Sequence, residues 1–294
     1  MKKSKFPYMV LIPMLLLLTV FVVIPIIASF AISFMDYNPL RQSGNVFVGF
    51  KNYSALFSDA RYKASLVNTL YYVLAMVTIN ICVTLVTAAI LCSLESNKWR
   101  SLFRTFFFMP CVAPLAAISV VWQKSLFGLK GGFNMMIKAL GGRAIDWLGN
   151  PAMIMPSIIL LSLWADVGYN TILFISGIQG IPGDYYEAAE IDGAGPVRRF
   201  FDITLPLLRR TFIFVSSMTF ISQFQAFAQF AILTSGGGAG YSGQVLSTYI
   251  YYQGFAQKEM GYASAISVTL FIMILIVTLI QQRFNRVDWG YGQA

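Results

Sequence analysis

The chain has 294 residues, of which 57% are hydrophobic and only 11% charged, and its formal net charge is +9. A soluble domain carries about 25% charged residues, so this chain has too little polar surface to cover a globule in water, and its long charge-free runs mark lipid as its main solvent. It has no histidine and three cysteines (Cys82, Cys92 and Cys111) with no CxxC pair, which argues against a zinc site, a disulfide framework and histidine-based acid–base catalysis.

The basic residues lie between apolar runs, and no basic stretch is interleaved with aromatics in a separate soluble module. That pattern fits loops held at a membrane face and excludes nucleic acid as a partner. No convergent catalytic set is visible, so neither catalytic nor metal-ligating residues are expected.

Six apolar runs come close to the ~20 residues needed to cross a bilayer. The first is Phe6 to Met35, preceded by Lys2, Lys3 and Lys5. It is too long for the apolar core of a signal peptide and reads as an uncleaved span, with Pro7 and Pro13 suggesting a short interfacial turn before it. Leu66 to Leu94 is the second span. Thr105 to Gln123 is the third, with a kink expected at Pro110 and Pro114. Met153 to Ser176 is the fourth, interrupted by a single charge, Asp166. Thr211 to Thr234 is the fifth, closed by Ser235-Gly236-Gly237-Gly238, and Tyr262 to Gln281 is the sixth. The predicted fold class is therefore an all-α polytopic membrane protein of six transmembrane helices, with residues 1–294 forming one membrane domain.

Six spans put both termini on one side. The termini, the Glu95–Arg104 loop and the Pro182–Arg210 loop together carry 12 Lys and Arg, and the opposite set of loops carries 9. Lys98, Arg100 and Arg104 crowd one short loop, and Arg209 and Arg210 abut a span, so both termini are predicted to be cytoplasmic.

The fourth and fifth spans are joined by Ile181 to Arg210, IPGDYYEAAEIDGAGPVRRFFDITLPLLRR. Asp184 is a candidate N-cap for a short helix over Tyr185–Asp192. Gly193 and Gly195 permit a reversal, and Pro196 suits the first turn of a second helix, Val197–Asp202. Pro206 marks the entrance to the next span. The result is a helix–turn–helix that exposes Glu187, Glu190, Asp192, Arg198 and Arg199, with Ala188 and Ala189 small enough for close approach. Such a segment either merely connects two spans or docks a partner. Connections can be much shorter, and the size of this one favours docking.

Glu187-Ala188-Ala189, then Gly193, Ile203 and Leu205-Pro206 at their observed spacing, resemble the EAA loop of the membrane subunits of binding-protein-dependent ATP-binding-cassette importers. The fuller text EAAEIDGAGPVRRFFDITLPLL is similar to the carbohydrate-uptake branch, which includes maltose-type and glycerol-phosphate-type permeases. Weaker similarity runs through Phe47-Val48-Gly49-Phe50-Lys51-Asn52-Tyr53, Asn68-Thr69-Leu70 and Gly261-Tyr262-Ala263-Ser264-Ala265. The resemblance implies a bacterial-type inner membrane and a cytoplasmic coupling helix seated on a dimer of ATP-binding subunits. It also implies a second homologous permease and an extracellular or periplasmic solute-binding protein. Coupling would fall to Glu187, Ala188, Ala189, Asp192, Gly193, Arg198, Arg199 and Pro206. No G-x-x-x-x-G-K-[ST] loop occurs in the sequence, so no cofactor is expected in this chain, and ATP and Mg would sit on the partner. Where the family often has Gly-Gly-Pro, this chain has Gly236-Gly237-Gly238-Ala239.

Polar groups inside spans are costly and therefore informative. Ser222, Gln225 and Gln229 recur at +3 and +4, with Thr219 a turn away, and Asp166, Tyr169 and Asn170 cluster in the fourth span. These residues either line a path for a polyhydroxylated ligand or hold helices together. Asp166 would accept from sugar hydroxyls or pair with the second permease. Trp122 is read as part of an interfacial aromatic belt. No Lys or Arg lies mid-span, which leans the expectation towards a neutral sugar or oligosaccharide. The alternatives are glycerol phosphate or another polyol phosphate and, outside this class, a secondary transporter, for which the loop would have no use.

Overall fold

The computed structural model describes residues 6–41, 44–94 and 96–284. In chain order its helices are α1 (Phe6–Leu18), α2 (Ile24–Ile32), α3 (Lys51–Ser58), α4 (Ala60–Ser93), α5 (Asn97–Val112), α6 (Leu115–Val121), α7 (Gly132–Ala139) and α8 (Pro151–Gln179). They continue with α9 (Asp184–Ile191), α10 (Pro196–Arg199), α11 (Leu205–Leu207), α12 (Arg209–Phe224), α13 (Ala228–Thr234), α14 (Leu246–Tyr251) and α15 (Met260–Phe284). One departure from an all-α chain is a short antiparallel pair, β1 (Met35–Asp36) and β2 (Val46–Phe47), in the register Met35↔Phe47.

Among the described residues, four stretches are long and apolar enough to cross a membrane: Leu11–Ile32, Ala60–Ser93, Pro151–Gln179 and Met260–Arg283. Up to six are counted if each of two bent helix pairs is one span. The third predicted span is one of these pairs. It is broken rather than kinked, turning by 93° between α5 and α6, because Pro114 offers no N–H and holds Ala113 extended. The fifth predicted span is also interrupted, bending by 41° between α12 and α13. In the first span a π-helical turn, Thr19–Val23, precedes Pro25, a widening that relieves the proline's clash with the preceding turn.

Contacts divide the chain into two compact units, one built from the residues up to Lys63 with Leu246–Ile272, the other from Ala64–Val245 with the chain after Met273. The first unit is pinned by side chains that reach backbone. Asn52 Nδ2 donates to the carbonyls of Ser33 (2.8 Å) and Met35 (3.0 Å), and Ser33 Oγ lies 2.7 Å from the Tyr53 hydroxyl. Gly261 lies so close to Met35 that a Cβ would sit 2.0 Å from its carbonyl oxygen. Asp59 caps α4, accepting from the amides of Arg61 (2.8 Å) and Tyr62 (3.1 Å), and it also accepts from the hydroxyls of Tyr249 and Tyr262. The Arg61 guanidinium lies 3.9 Å above the Tyr252 ring.

In the second unit α8 is the central element, with α5 and α12 packed on it and α6 packed on α13. Gly168 permits the α5–α8 approach, since a Cβ there would fall 2.1 Å from the Phe107 carbonyl oxygen. Trp122 does not sit in an exposed belt. It is 8% exposed and packs edge-on against Phe127 and Phe133 and beside Trp164, so hydrophobic burial decides its place rather than an interface.

Burial tends to raise the Asp59 carboxyl, but donors from Tyr249, Tyr262, Tyr62 and Arg61 outweigh it and hold the group below its ordinary range. A carboxyl depressed by folding adds stability above its unfolded value, about 4, and loses it as pH falls through the folded value. Hydrogen exchange in Leu246–Tyr251, corrected for its intrinsic pH dependence, is expected to lose protection below about pH 4. Asp59→Asn is expected to flatten that profile, and an unchanged profile would show that the carboxylate does not hold this segment.

Candidate functional site

Both helix breaks in the second unit open onto one cavity of about 600 Å³. Pro110, Cys111, Ala113 and Leu115 line it from the α5–α6 break, Ala165, Asp166, Tyr169 and Asn170 from α8, and residues from Met218 to Gln229 from the α12–α13 break. Among these are all six residues singled out in the sequence: Asp166, Tyr169, Asn170, Ser222, Gln225 and Gln229. Ser222, Gln225 and Gln229 do not share the face of one continuous helix, as their spacing suggests. Gln225 ends α12 and Phe227 has non-helical dihedrals, so Gln229 belongs to a second helix. The break turns the two segments around the cavity, and that brings the three residues to its wall.

A hydrogen-bonded chain of side chains fixes this wall. Gln223 Nε2 donates to Asp166 Oδ2 at 2.8 Å, and Gln223 Oε1 accepts from the Tyr72 hydroxyl at 2.8 Å. The Tyr72 hydroxyl lies 2.9 Å from Ser162 Oγ and accepts from Gln229 Nε2 at 3.1 Å. A second cluster lies alongside, where Asn170 Nδ2 donates to Asn80 Oδ1 (2.6 Å) and Thr219 Oγ1 (3.0 Å). Buried polar groups of this kind are costly in a membrane unless they satisfy one another, and here Asn80 Nδ2 is left without a partner among the described residues. Asp166 Oδ1 makes no hydrogen bond among the described residues and is left to the cavity. Cys111 also lines the cavity, its thiol donating to the Ala165 carbonyl at 3.1 Å.

Gln223, Tyr72, Asn80 and Ser162 are central to these clusters, yet spacing in the sequence does not point to them. Gln223 falls off the +3/+4 pattern because it follows Ser222 directly and so lies off the face that the Ser222, Gln225 and Gln229 spacing marks. Tyr72 lies in a run whose polar rhythm is weak. The mid-span amide of Asn80 was the one available signal.

The predicted helix–turn–helix is present as α9, a turn, and α10 continued by the π-helical turn Phe200–Thr204 into α11. Gly183 rather than Asp184 is the N-cap, and Asp184 occupies the first helical turn, where its charge still suits the helix dipole. Gly193 has φ +75°, the left-handed region in which a side chain costs about 1–2 kcal/mol. Pro196 opens α10, as expected. The two arms are tied by Tyr186 hydroxyl to Thr204 Oγ1 at 2.9 Å and by Arg199 to Glu190 at 3.0 Å, while Arg198 pairs with Asp202 at 3.2 Å. Both arginines therefore serve ion pairs within the elbow. Glu187 is exposed with no side-chain partner among the described residues. Ile191 is 88% exposed and Val197 71%. The elbow's exit packs on α8, where a Cβ at Gly177 would meet Thr211 and Leu208 side chains at 2.6 and 2.8 Å.

The family model described as "Binding-protein-dependent transport system inner membrane component" matches residues 84–287. The chain is 36% identical over 280 residues to the probable ABC transporter permease protein YurN of Bacillus subtilis (strain 168), covering 95% of each chain. It is 34% identical over 291 residues to the arabinooligosaccharides transport system permease protein AraP of the same organism, covering 99% of this chain and 91% of the relative. A chain in the crystal structure of a bacterial ABC transporter that imports the acidic polysaccharide alginate shares the fold, with a TM-score of 0.85, 20% identity, and coverage of 95% of this chain and 94% of that one.

Gln223→Leu removes the donor to Asp166 and the acceptor for Tyr72, and is expected to destabilise the detergent-purified protein by about 1–3 kcal/mol. Thermal unfolding of Gln223→Leu, Tyr72→Phe and the double variant measures the coupling. Losses well short of additive are expected, and strict additivity would show that the two side chains do not act together.

Proposed function

Because this chain belongs to the family of binding-protein-dependent transport system inner membrane components, we propose that it forms half of a transmembrane path for a sugar or oligosaccharide and is coupled through its α9–α10 elbow to a separate ATP-binding subunit. It is a multi-pass membrane transport subunit without an ATP-binding site of its own. On this reading each bent helix pair counts as one span, giving six, with both termini and the elbow in the cytoplasm. The arabinooligosaccharide relative and the amide and hydroxyl groups around the cavity support a polyhydroxylated ligand. The remaining partners on this reading are a second permease that completes the path and a solute-binding protein, such as the periplasmic protein in complex with the alginate transporter. ATP and Mg are held by the motor.

The observation that carries the coupling role is Ile191. A nearly fully exposed isoleucine at the end of α9, beside Glu187 and with Val197 also exposed on the elbow, costs solvation unless a partner covers it. The internal ties Tyr186–Thr204 and Glu190–Arg199 stiffen the elbow. A stiff elbow packed on α8 through Gly177 passes displacement to the cavity wall, where a slack loop would absorb it.

In the reconstituted complex, Glu187→Lys, Ile191→Asp and Gly193→Pro are each expected to abolish uptake and co-purification of the ATP-binding subunit, with membrane insertion intact. Undiminished uptake in all three would remove the elbow from coupling.

A further inference from the structure

Asp166 is the one carboxyl among the described residues that line the cavity. Asp166 lines the cavity, and Gln223 holds its Oδ2 at 2.8 Å, leaving Oδ1 without a hydrogen bond among the described residues. Among the described lining residues there is no lysine or arginine, and no salt bridge to Asp166 is present among the described residues. The amide of Gln223 is itself anchored by the Tyr72 hydroxyl at 2.8 Å, so the carboxylate cannot swing away from an incoming group without breaking a buried hydrogen bond.

Resting on the sugar-path reading above, we propose that Asp166 is a charge filter: the cavity accepts neutral hydroxylated ligands, which donate to Oδ1, and rejects those bearing carboxylate, phosphate or sulfate. A hydroxyl beside Oδ1 makes a charge-assisted hydrogen bond. An anion in the same position meets a like charge in a wall of reduced dielectric, with no lysine or arginine among this chain's described lining residues to offset it. Membership of the family does not decide this property, since the structural neighbour imports an acidic polysaccharide. The filter belongs to one residue of this chain.

The test uses the complete purified transporter with Cys82→Ser and Cys92→Ser, so that alkylation by N-ethylmaleimide reads Cys111 in the cavity wall. The probes are neutral pentasaccharides (arabinopentaose, maltopentaose and galactopentaose) and pentagalacturonate. In the otherwise wild-type complex, at least one neutral probe is expected to slow alkylation, and pentagalacturonate is expected to require on the order of 100-fold higher concentration. Asp166→Asn keeps an oxygen for Gln223 and is expected to bring the two within a few-fold, while Asp166→Glu preserves the discrimination. Equal protection by pentagalacturonate and neutral probes with Asp166 present would overturn the filter alone. So would discrimination that survives Asp166→Asn. Protection by no probe in any variant would overturn the cavity as the path, and the filter with it.

Discussion

Gln223 joins three helices with two hydrogen bonds: its amide nitrogen holds Asp166 of α8 and its amide oxygen receives Tyr72 of α4. Within a bilayer neither partner finds water as a substitute, so each polar group that faces inwards depends on another. The bond network sits at the end of α12, immediately before the chain breaks at Gln225–Phe227. Without it, the Asp166 carboxylate would lose its one hydrogen bond among the described residues. The two helix breaks open onto the cavity that this network walls.

The same α8 that carries Asp166, Tyr169 and Asn170 also carries Gly168 and Gly177. Gly168 allows the α5 backbone to close on α8 near the cavity, and Gly177 allows the elbow's exit to close on α8 further along. One helix therefore touches both the candidate path and the candidate coupling element. That arrangement gives a mechanical route between them that needs no flexible intermediary, and it explains the short ties within the elbow itself. Ion pairs at exposed positions such as Arg198–Asp202 contribute little to stability, about 0–1 kcal/mol. Their role here is to set the shape of the elbow.

The apolar runs, the helical reversal after α8 and the polar residues of the cavity wall were legible because each follows from local chemistry: hydropathy for the spans, Gly193 and Pro196 for the turn, and mid-span amides for the wall. The two helix breaks were not legible to the same degree. Pro110 and Pro114 signal a bend but do not fix a 93° turn, which depends on what α6 packs against. Nothing in Gln225-Ala226-Phe227 forbids a continuous helix, so the second break is a tertiary effect. Trp122 was misplaced for a related reason, since an aromatic at a span end fits a belt or a core equally well until Phe127, Phe133 and Trp164 are seen around it. Asn52, Tyr53 and Gly261 lay in stretches that stood out only for their family similarity, and the structure gives them a role as pins on the chain around Ser33 and Met35.

On the proposed function, the elbow and the cavity move as one device driven by a separate motor. The most direct measurement is the alkylation rate of Cys111, in the assembled transporter carrying Cys82→Ser and Cys92→Ser, with and without ATP, with an otherwise wild-type elbow and with its ties cut by Tyr186→Phe and Arg199→Ala. The expected result is a rate that changes several-fold with ATP when the elbow is wild type and loses most of that response when its ties are cut. A rate indifferent to ATP with the wild-type elbow, or a full response with the ties cut, would contradict this coupling.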